Sequence, residues 1–309
     1  MQRTAVGIIG MGWVGSSVAM SLLHAGAAQD LLLHDLRAEV AEGEAMDLAH
    51  GAAFYPPARV RVAGLDEMRE ATGAIVVAAG RGALPGGPDR LAALQQTAAI
   101  VRELAAPLRG YRGLVVVVTN PVDVLTAVLA EAAGLPPHRV IGTGTMLDTA
   151  RLRQVIGVEL GLEPSSIHAY VVGEHGDSEV VLWSSARVGA TALRDWPGWR
   201  REREAPLALA VRRAGYEIIR RKGASNHAIG LVTARLLHGI LRGERHVLAV
   251  SRVQEDGPFA GVPLSLPTVV DGEGATQVVA PPMTDEERDA LARSADVLRR
   301  ALASVAPSA

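Results

Sequence analysis

The stretch "AVGIIGMGWVGSSVAMSLLHAG" (Ala5–Gly26) decides the fold. It opens on five apolar or small residues, "AVGII" (Ala5–Ile9), which predict a strand. The run then dissolves into glycines at Gly10, Gly12 and Gly15. Beyond them, apolar residues recur at helical spacing until Gly26, a natural helix stop. Strand, glycine turn and helix in that order give the spacing G-x-G-x-x-G its meaning, because 33 glycines would produce the bare pattern by chance. Gly10 permits the tight turn, Gly12 lets backbone approach a pyrophosphate, and Gly15 lets helix and strand pack closely. The unpaired N–H groups at the helix N-terminus suit phosphate oxygens.

The same rhythm continues outward. "LLLHD" (Leu31–Asp35) is a second strand, and "RAEVAEGEAMDLAHG" is a helix stopped at Gly51. "AIVVAA" and "LVVVVTN" are further strands, with a long helix around Leu91–Leu108 between them. Near-continuous apolar strands separated by helices imply a parallel sheet covered on both faces, the doubly wound α/β class. Beyond Gly142 the pattern changes. A helix through "MLDTARLRQVIGVELG" is followed by a β run "SIHAYVVG" and a long helical region from Arg203 to Gly243. Two β runs, "HVLAVS" and "GVPLSLPTVV", come next. Thr284 and Glu287 have capping-box spacing at the start of a last helix. The expected division is a Rossmann domain over residues 1–142 and an α+β substrate domain over 143–309.

Composition bounds the chemistry. The chain has 309 residues, of which 49% are hydrophobic, enough for a large core. A net charge of -2 with both signs scattered speaks against nucleic acid as a partner. Cysteine is absent, which removes disulfides, thiol catalysis and cysteine-bound metals. The nine histidines show no metal-ligand spacing, so no metal is expected. No apolar run reaches the about 18 residues of a membrane span, and the N-terminus does not resemble a secretion signal. A cytoplasmic location is the expectation.

Four residues in three stretches carry candidate chemistry. Asp35 ends the second strand 20 residues after Gly15, where a carboxylate accepts hydrogen bonds from ribose hydroxyls and repels an added phosphate. NAD is therefore the expected cofactor. His175 sits in "VVGEHGDSE" between two glycines, exposed on a tight turn past an apolar run. Asp148 and Arg151, in "GTGTMLDTARLR", stand three apart and share a helix face. One could hold an imidazole and the other a substrate carboxylate; a surface ion pair is the plainer alternative.

With these stretches in view, the chain resembles the L-lactate/malate dehydrogenase superfamily over essentially its full length. The resemblance rests on "GIIGMGWVGSSVA", "LLLHD", "GEAMDLAHG", "VTNPVDVLT", "VIGTGTMLDTAR" and "VVGEHGDSE", in that order. The last two look closer to the lactate and L-2-hydroxyisocaproate branch than to the malate branch. The resemblance implies an NAD-dependent L-2-hydroxy acid dehydrogenase. His175 is then the proton donor and acceptor, Asp148 its orienting carboxylate and Arg151 the anchor for the substrate carboxylate. Arg90 polarises the substrate carbonyl when a lid closes. Asn120, Asp123 and Ser225 fall on the substrate side. Gly10, Met11, Gly12, Trp13, Val14, Gly15, Asp35, Gly80, Val118 and Asn120 fall on the cofactor side.

The glycine-rich stretch "AAGRGALPGGPDRL" (Ala78–Leu91) reads as that lid. Its side-chain reader aligns with Ala83 or Leu84, and neither can pair with a second carboxylate. Gly215, in "RRAGYE", lacks the methyl group that would narrow a pocket. Pyruvate and a bulkier apolar 2-oxo acid fit equally, since one methylene is worth only about 1–3 kcal/mol. Arg153 lies about 200° around the helix from Arg151 and so faces away. With His168 it matches the effector site of lactate dehydrogenases that respond to fructose 1,6-bisphosphate; an interface salt-bridge network is the alternative. The resemblance also implies a homo-oligomer, a tetramer before a dimer. Two other functions remain at this point: malate dehydrogenase, and an NAD-binding protein without turnover.

Overall fold

The computed structural model describes residues 4–80 and 90–306, the side chain of Arg90 excepted. Its first part alternates strand and helix: β1 (Ala5–Ile9), α1 (Trp13–His24), β2 (Asp30–His34), α2 (Ala38–His50), β3 (Arg59–Val62), α3 (Leu65–Ala71) and β4 (Ala74–Val77). α4 (Arg90–Ala105), β5 (Leu114–Val117), α5 (Val122–Ala133) and β6 (Val140–Gly142) complete it. The order β3-β2-β1-β4-β5-β6, all parallel, is the doubly wound arrangement.

Why these runs are strands follows from where their side chains go. On one face Ile9, Ile75, Val77, Val115 and Val117 pack with Ala98 and Val101 of α4 and Leu125 and Leu129 of α5. On the other, Val6, Ile8, Leu31, Leu33, Val76 and Val116 pack against Val18 and Leu22 of α1. Both faces are covered, so the strands read as continuous apolar runs rather than alternating ones. Each fully buried aliphatic side chain is worth about 1.5–3 kcal/mol.

The later elements are α6 (Met146–Leu160), β7 (Ile167–His168), β8 (Val171–Val172), β9 (Val180–Val181), β10 (Arg187–Val188), β11 (Thr191–Ala192), α7 (Glu204–Lys222) and α8 (His227–Leu241). β12 (His246–Val253), β13 (Pro263–Asp271), β14 (Gly274–Val278) and α9 (Asp285–Ala303) follow. β12 to β14 form an antiparallel meander that joins β6 through Ser251 and Gly142, extending the sheet to nine strands. Leu152 and Ile156 of α6, Val211 of α7, Val181, Leu193 and Trp199 form a separate apolar cluster.

Two expected elements divide. The helical region from Arg203 to Gly243 is two helices, because Gly223 adopts a left-handed conformation (φ 85°) and ends α7. "SIHAYVVG" is two short strands that join different sheets. At α9 the capping box forms as its spacing predicts. Glu287 N–H donates to Thr284 Oγ1 (3.3 Å), and Thr284 N–H donates to Glu287 Oε2 (3.0 Å). Among the described residues, no helix is long and apolar enough to cross a membrane.

Candidate active site

The carboxyl ends of the parallel strands meet at one edge of the sheet, where the strand order reverses between β1 and β4. Ligands of open α/β sheets bind at such a switch point. Gly10 leaves β1 with φ 95°, and a Cβ there would lie 2.6 Å from Ala79 N. A Cβ on Gly15 would lie 1.9 Å from Gly10 O, so only glycine lets α1 start this close to the turn. At Gly12 nothing stands within 4 Å of where a Cβ would be, which leaves room for a pyrophosphate. The Asp35 carboxylate accepts from Met11 N–H (2.8 Å) and Arg37 N–H (3.0 Å), tying the end of β2 to the glycine turn. An open groove of about 670 Å³ runs beside this turn past Trp13, Arg37 and Asn226. These residues fit a dinucleotide.

Around the same edge, Val118 is buried and its N–H donates to Val77 O (3.0 Å). Val14 is half-buried, whereas Trp13 is 68% exposed. Gly80 follows β4, where a Cβ would lie 2.5 Å from Thr119 Cγ2. Asn120 follows β5, and its Oδ1 accepts from Val122 N–H (3.2 Å). Arg90 starts α4. Its side chain, with Ala83 and Leu84 of the selectivity loop, lies outside the described residues.

The histidine turn is held over this edge by the second half of the chain. Gly173 exchanges backbone hydrogen bonds with Ser265 of β13 (2.9 and 3.1 Å). Thr145, just before α6, donates through Oγ1 to Val171 O of β8 (2.6 Å). Ser294 of α9 accepts Glu174 N–H (2.8 Å). From three sides, then, the turn is fixed.

His175 Nδ1 lies 2.5 Å from Asp148 Oδ2, and Arg151 Nη1 donates to Asp148 Oδ1 (2.8 Å). One buried carboxylate holds both cations. Asp148 is 2% exposed, while the side chain of His175 keeps 25%. The charges explain the protonation states. Burial alone would lower the His175 pKa, but the Asp148 charge and hydrogen bond outweigh it and push the imidazole up to about 9. Burial alone would raise Asp148, but His175 and Arg151 hold its carboxyl below the usual range. At neutral pH the imidazole is charged and its free nitrogen carries a proton.

Asp123, expected on the substrate side, is 2% exposed and occupied elsewhere. Its Oδ2 accepts His175 N–H (2.7 Å) and its Oδ1 lies 3.5 Å from Ser265 Oγ. Burial pushes its carboxyl up to about 6, against the His175 hydrogen bond. It holds the histidine backbone. Gly215 of α7 faces Arg151: a Cβ there would stand 3.9 Å from Nη2 and 4.0 Å from Nη1. Ser225 is half-buried in the turn from α7 to α8. The next residue, Asn226, donates to Ser17 Oγ of α1 (2.8 Å).

Arg153 turns away from Arg151. Its Nε donates to Ala169 O (3.2 Å), and its guanidinium lies 5.5 Å from the Tyr170 ring centroid. His168 is exposed in β7, opposite Arg187 in register. Sequence reasoning passed over Glu179, Arg212, Ser265 and Ser294, the last three tied to this turn through contacts distant in the chain. Only Glu179 left a signal: an acid directly before the apolar "VVLW" run.

Comparison with known proteins agrees with this geometry. The family model described as "lactate/malate dehydrogenase, NAD binding domain" matches residues 4–142, and the one described as "lactate/malate dehydrogenase, alpha/beta C-terminal domain" matches residues 145–308. The chain is 40% identical over 307 residues to L-lactate dehydrogenase of Chloroherpeton thalassium, covering 97% of this chain and 99% of that one. It is also 40% identical over 312 residues to L-lactate dehydrogenase of Thermus aquaticus, covering 97% and 99%. The crystal structure of minor L-lactate dehydrogenase from Enterococcus mundtii superposes with a TM-score of 0.94 at 34% identity over 100% of both chains. MGS-M5, a lactate dehydrogenase enzyme from a Medee basin deep-sea metagenome library, gives 0.93 at 35% identity over 99% of both. By motif, fold and site, the chain belongs to the lactate/malate dehydrogenase family.

Proposed function

We propose that this chain is an NAD-dependent L-2-hydroxy acid dehydrogenase of the L-lactate dehydrogenase type, interconverting a 2-oxo acid and its L-2-hydroxy acid. The observation that carries the reading is the His175–Asp148–Arg151 constellation beside the glycine turn. When bound, NADH supplies the hydride. Arg151 grips the substrate carboxylate with the guanidinium edge that Asp148 leaves free. His175 gives its Nε2 proton to the carbonyl oxygen, and Asp148 balances the charge of the imidazolium beforehand. In reverse, the neutral imidazole takes the hydroxyl proton. Arg90 polarises the carbonyl, Asn120 sits near the same oxygen, and Ser225 lines the pocket.

Pyruvate or a bulkier apolar 2-oxo acid is the substrate. The open side of Gly215 toward Arg151 supports the larger one. The division of labour follows residues 1–142 for NAD and 143–309 for substrate. A cytoplasmic homo-oligomer, a tetramer, belongs to the same reading. So does an effector anion, fructose 1,6-bisphosphate, at Arg153 and His168. The outward turn of Arg153 and the exposure of His168 beside Arg187 support it.

One assay tests these points: NADH oxidation with pyruvate, 4-methyl-2-oxopentanoate and oxaloacetate, with and without fructose 1,6-bisphosphate. The expected result is a kcat/KM for 4-methyl-2-oxopentanoate at or above that for pyruvate, and a lower KM with the effector. A preference for oxaloacetate would make the enzyme a malate dehydrogenase. Binding of NADH without oxidation by any acid would make it a silent binder. No shift at millimolar effector would remove the anion site.

A further inference from the structure

Four residues past His175 lies a glutamate that the proposed reaction does not use. Glu179 precedes β9 and is only 4% exposed. Its Oε1 is enclosed with no hydrogen-bond partner among the described residues. Arg212 of α7 reaches it from the other side: Nη2 donates to Glu179 O (3.3 Å), while Nε is also enclosed and unpartnered. Arg212 stands one helical turn before Gly215, so both lie on the face of α7 that looks toward Arg151. A buried carboxylate oxygen without a donor is costly when charged and tolerable when protonated.

We propose that Glu179, whose main-chain carbonyl Arg212 holds, is a positioning residue that sets the charge presented to an incoming 2-oxo acid, according to whether its carboxyl holds a proton. The inference rests on the dehydrogenase reading above. Protonated, Glu179 leaves the positive charge of Arg151 and His175 free to draw in a substrate carboxylate. Ionised, it places a second negative charge beside that of Asp148 and competes for Arg151.

The groups facing Glu179 determine when this happens. The charges of Asp148 and Arg151 on α6, His175 on the histidine turn and Arg212 on α7 act on it. Glu174 and Asp123 act on the same cluster. Burial, then the Asp148 charge, pushes the Glu179 carboxyl up to about 8, with His175, Arg212 and Arg151 opposing. The sign follows: Glu179 is neutral below that value and ionised above it. Substrate affinity therefore weakens on the alkaline side.

The test is the KM for pyruvate, or for whichever 2-oxo acid turns over best, at about pH 6.5 and about pH 8.5. In the unaltered enzyme it rises about fourfold, the factor expected if the ionised form does not bind. In Glu179→Gln, which cannot ionise, the rise falls below about 1.5-fold. Arg212→Met removes a charge that opposes the raised pKa, so the step moves to higher pH. Binding of oxamate, an unreactive pyruvate isostere, to the NADH complex gives the same readout without turnover. Equal pH dependence in the unaltered enzyme and Glu179→Gln would overturn the inference and leave the reaction class standing. Absence of turnover with every 2-oxo acid would take both down together.

Discussion

At the residue scale, the site turns on one carboxylate with two duties. Asp148 uses Oδ2 for His175 and Oδ1 for Arg151, so proton and anchor are set by the same group. Its charge is what raises the imidazole, which gives a testable sign. In the unaltered enzyme, kcat for 2-oxo acid reduction is lost as pH rises through about 9, where His175 loses its proton. Asp148→Asn removes the charge, so the loss moves down toward the ordinary histidine value of about 6.5, and turnover drops by about a hundredfold. A pH–rate profile checks this; a break that stays near 9 in the variant would mean another group sets it. Asp148 and Arg151 were legible as a pair from their spacing and His175 from its glycine-flanked turn, and the family resemblance added their roles. The bond from His175 N–H to Asp123 was not legible, because it spans 52 positions and no local pattern encodes it.

At the element scale, strands buried on both faces were the easiest to read. β1, β2, β4 and β5 are short apolar runs that start within one residue of their predicted places. β3 (Arg59–Val62, "RVRV") escaped notice because it is the sheet edge, mostly exposed, where arginines are favoured over a continuous apolar run. The break between α7 and α8 was hidden because helical spacing resumes after Gly223, and only the glycine marks the turn. The strand–turn–helix unit at β1 and α1 makes a sharper demand. Since a Cβ on Gly15 would lie 1.9 Å from Gly10 O, Gly15→Ala must push α1 away from the turn. NADH affinity should fall at least about tenfold in a fluorescence titration, because the cradle and the helix terminus move apart. An unchanged Kd would show that the turn tolerates a side chain and that its geometry is not what holds the pyrophosphate.

Across the whole molecule, two parts of the chain, proposed to divide cofactor and substrate between them, meet at one edge. The parallel strands end in the glycine turn, Asp35 and Asn120. The later elements suspend the histidine turn above that edge from β13, α9 and the start of α6. This convergence is long-range and could only be inferred from the sequence by resemblance. It also makes the two tasks separable. His175→Asn removes the proton donor and leaves the glycine turn and Asp35 untouched. The decisive measurement is therefore NADH binding and 2-oxo acid turnover on that one variant. The account predicts an unchanged Kd for NADH with turnover reduced by about a hundredfold or more. Turnover close to that of the unaltered enzyme would contradict it, because some other group would then be moving the proton.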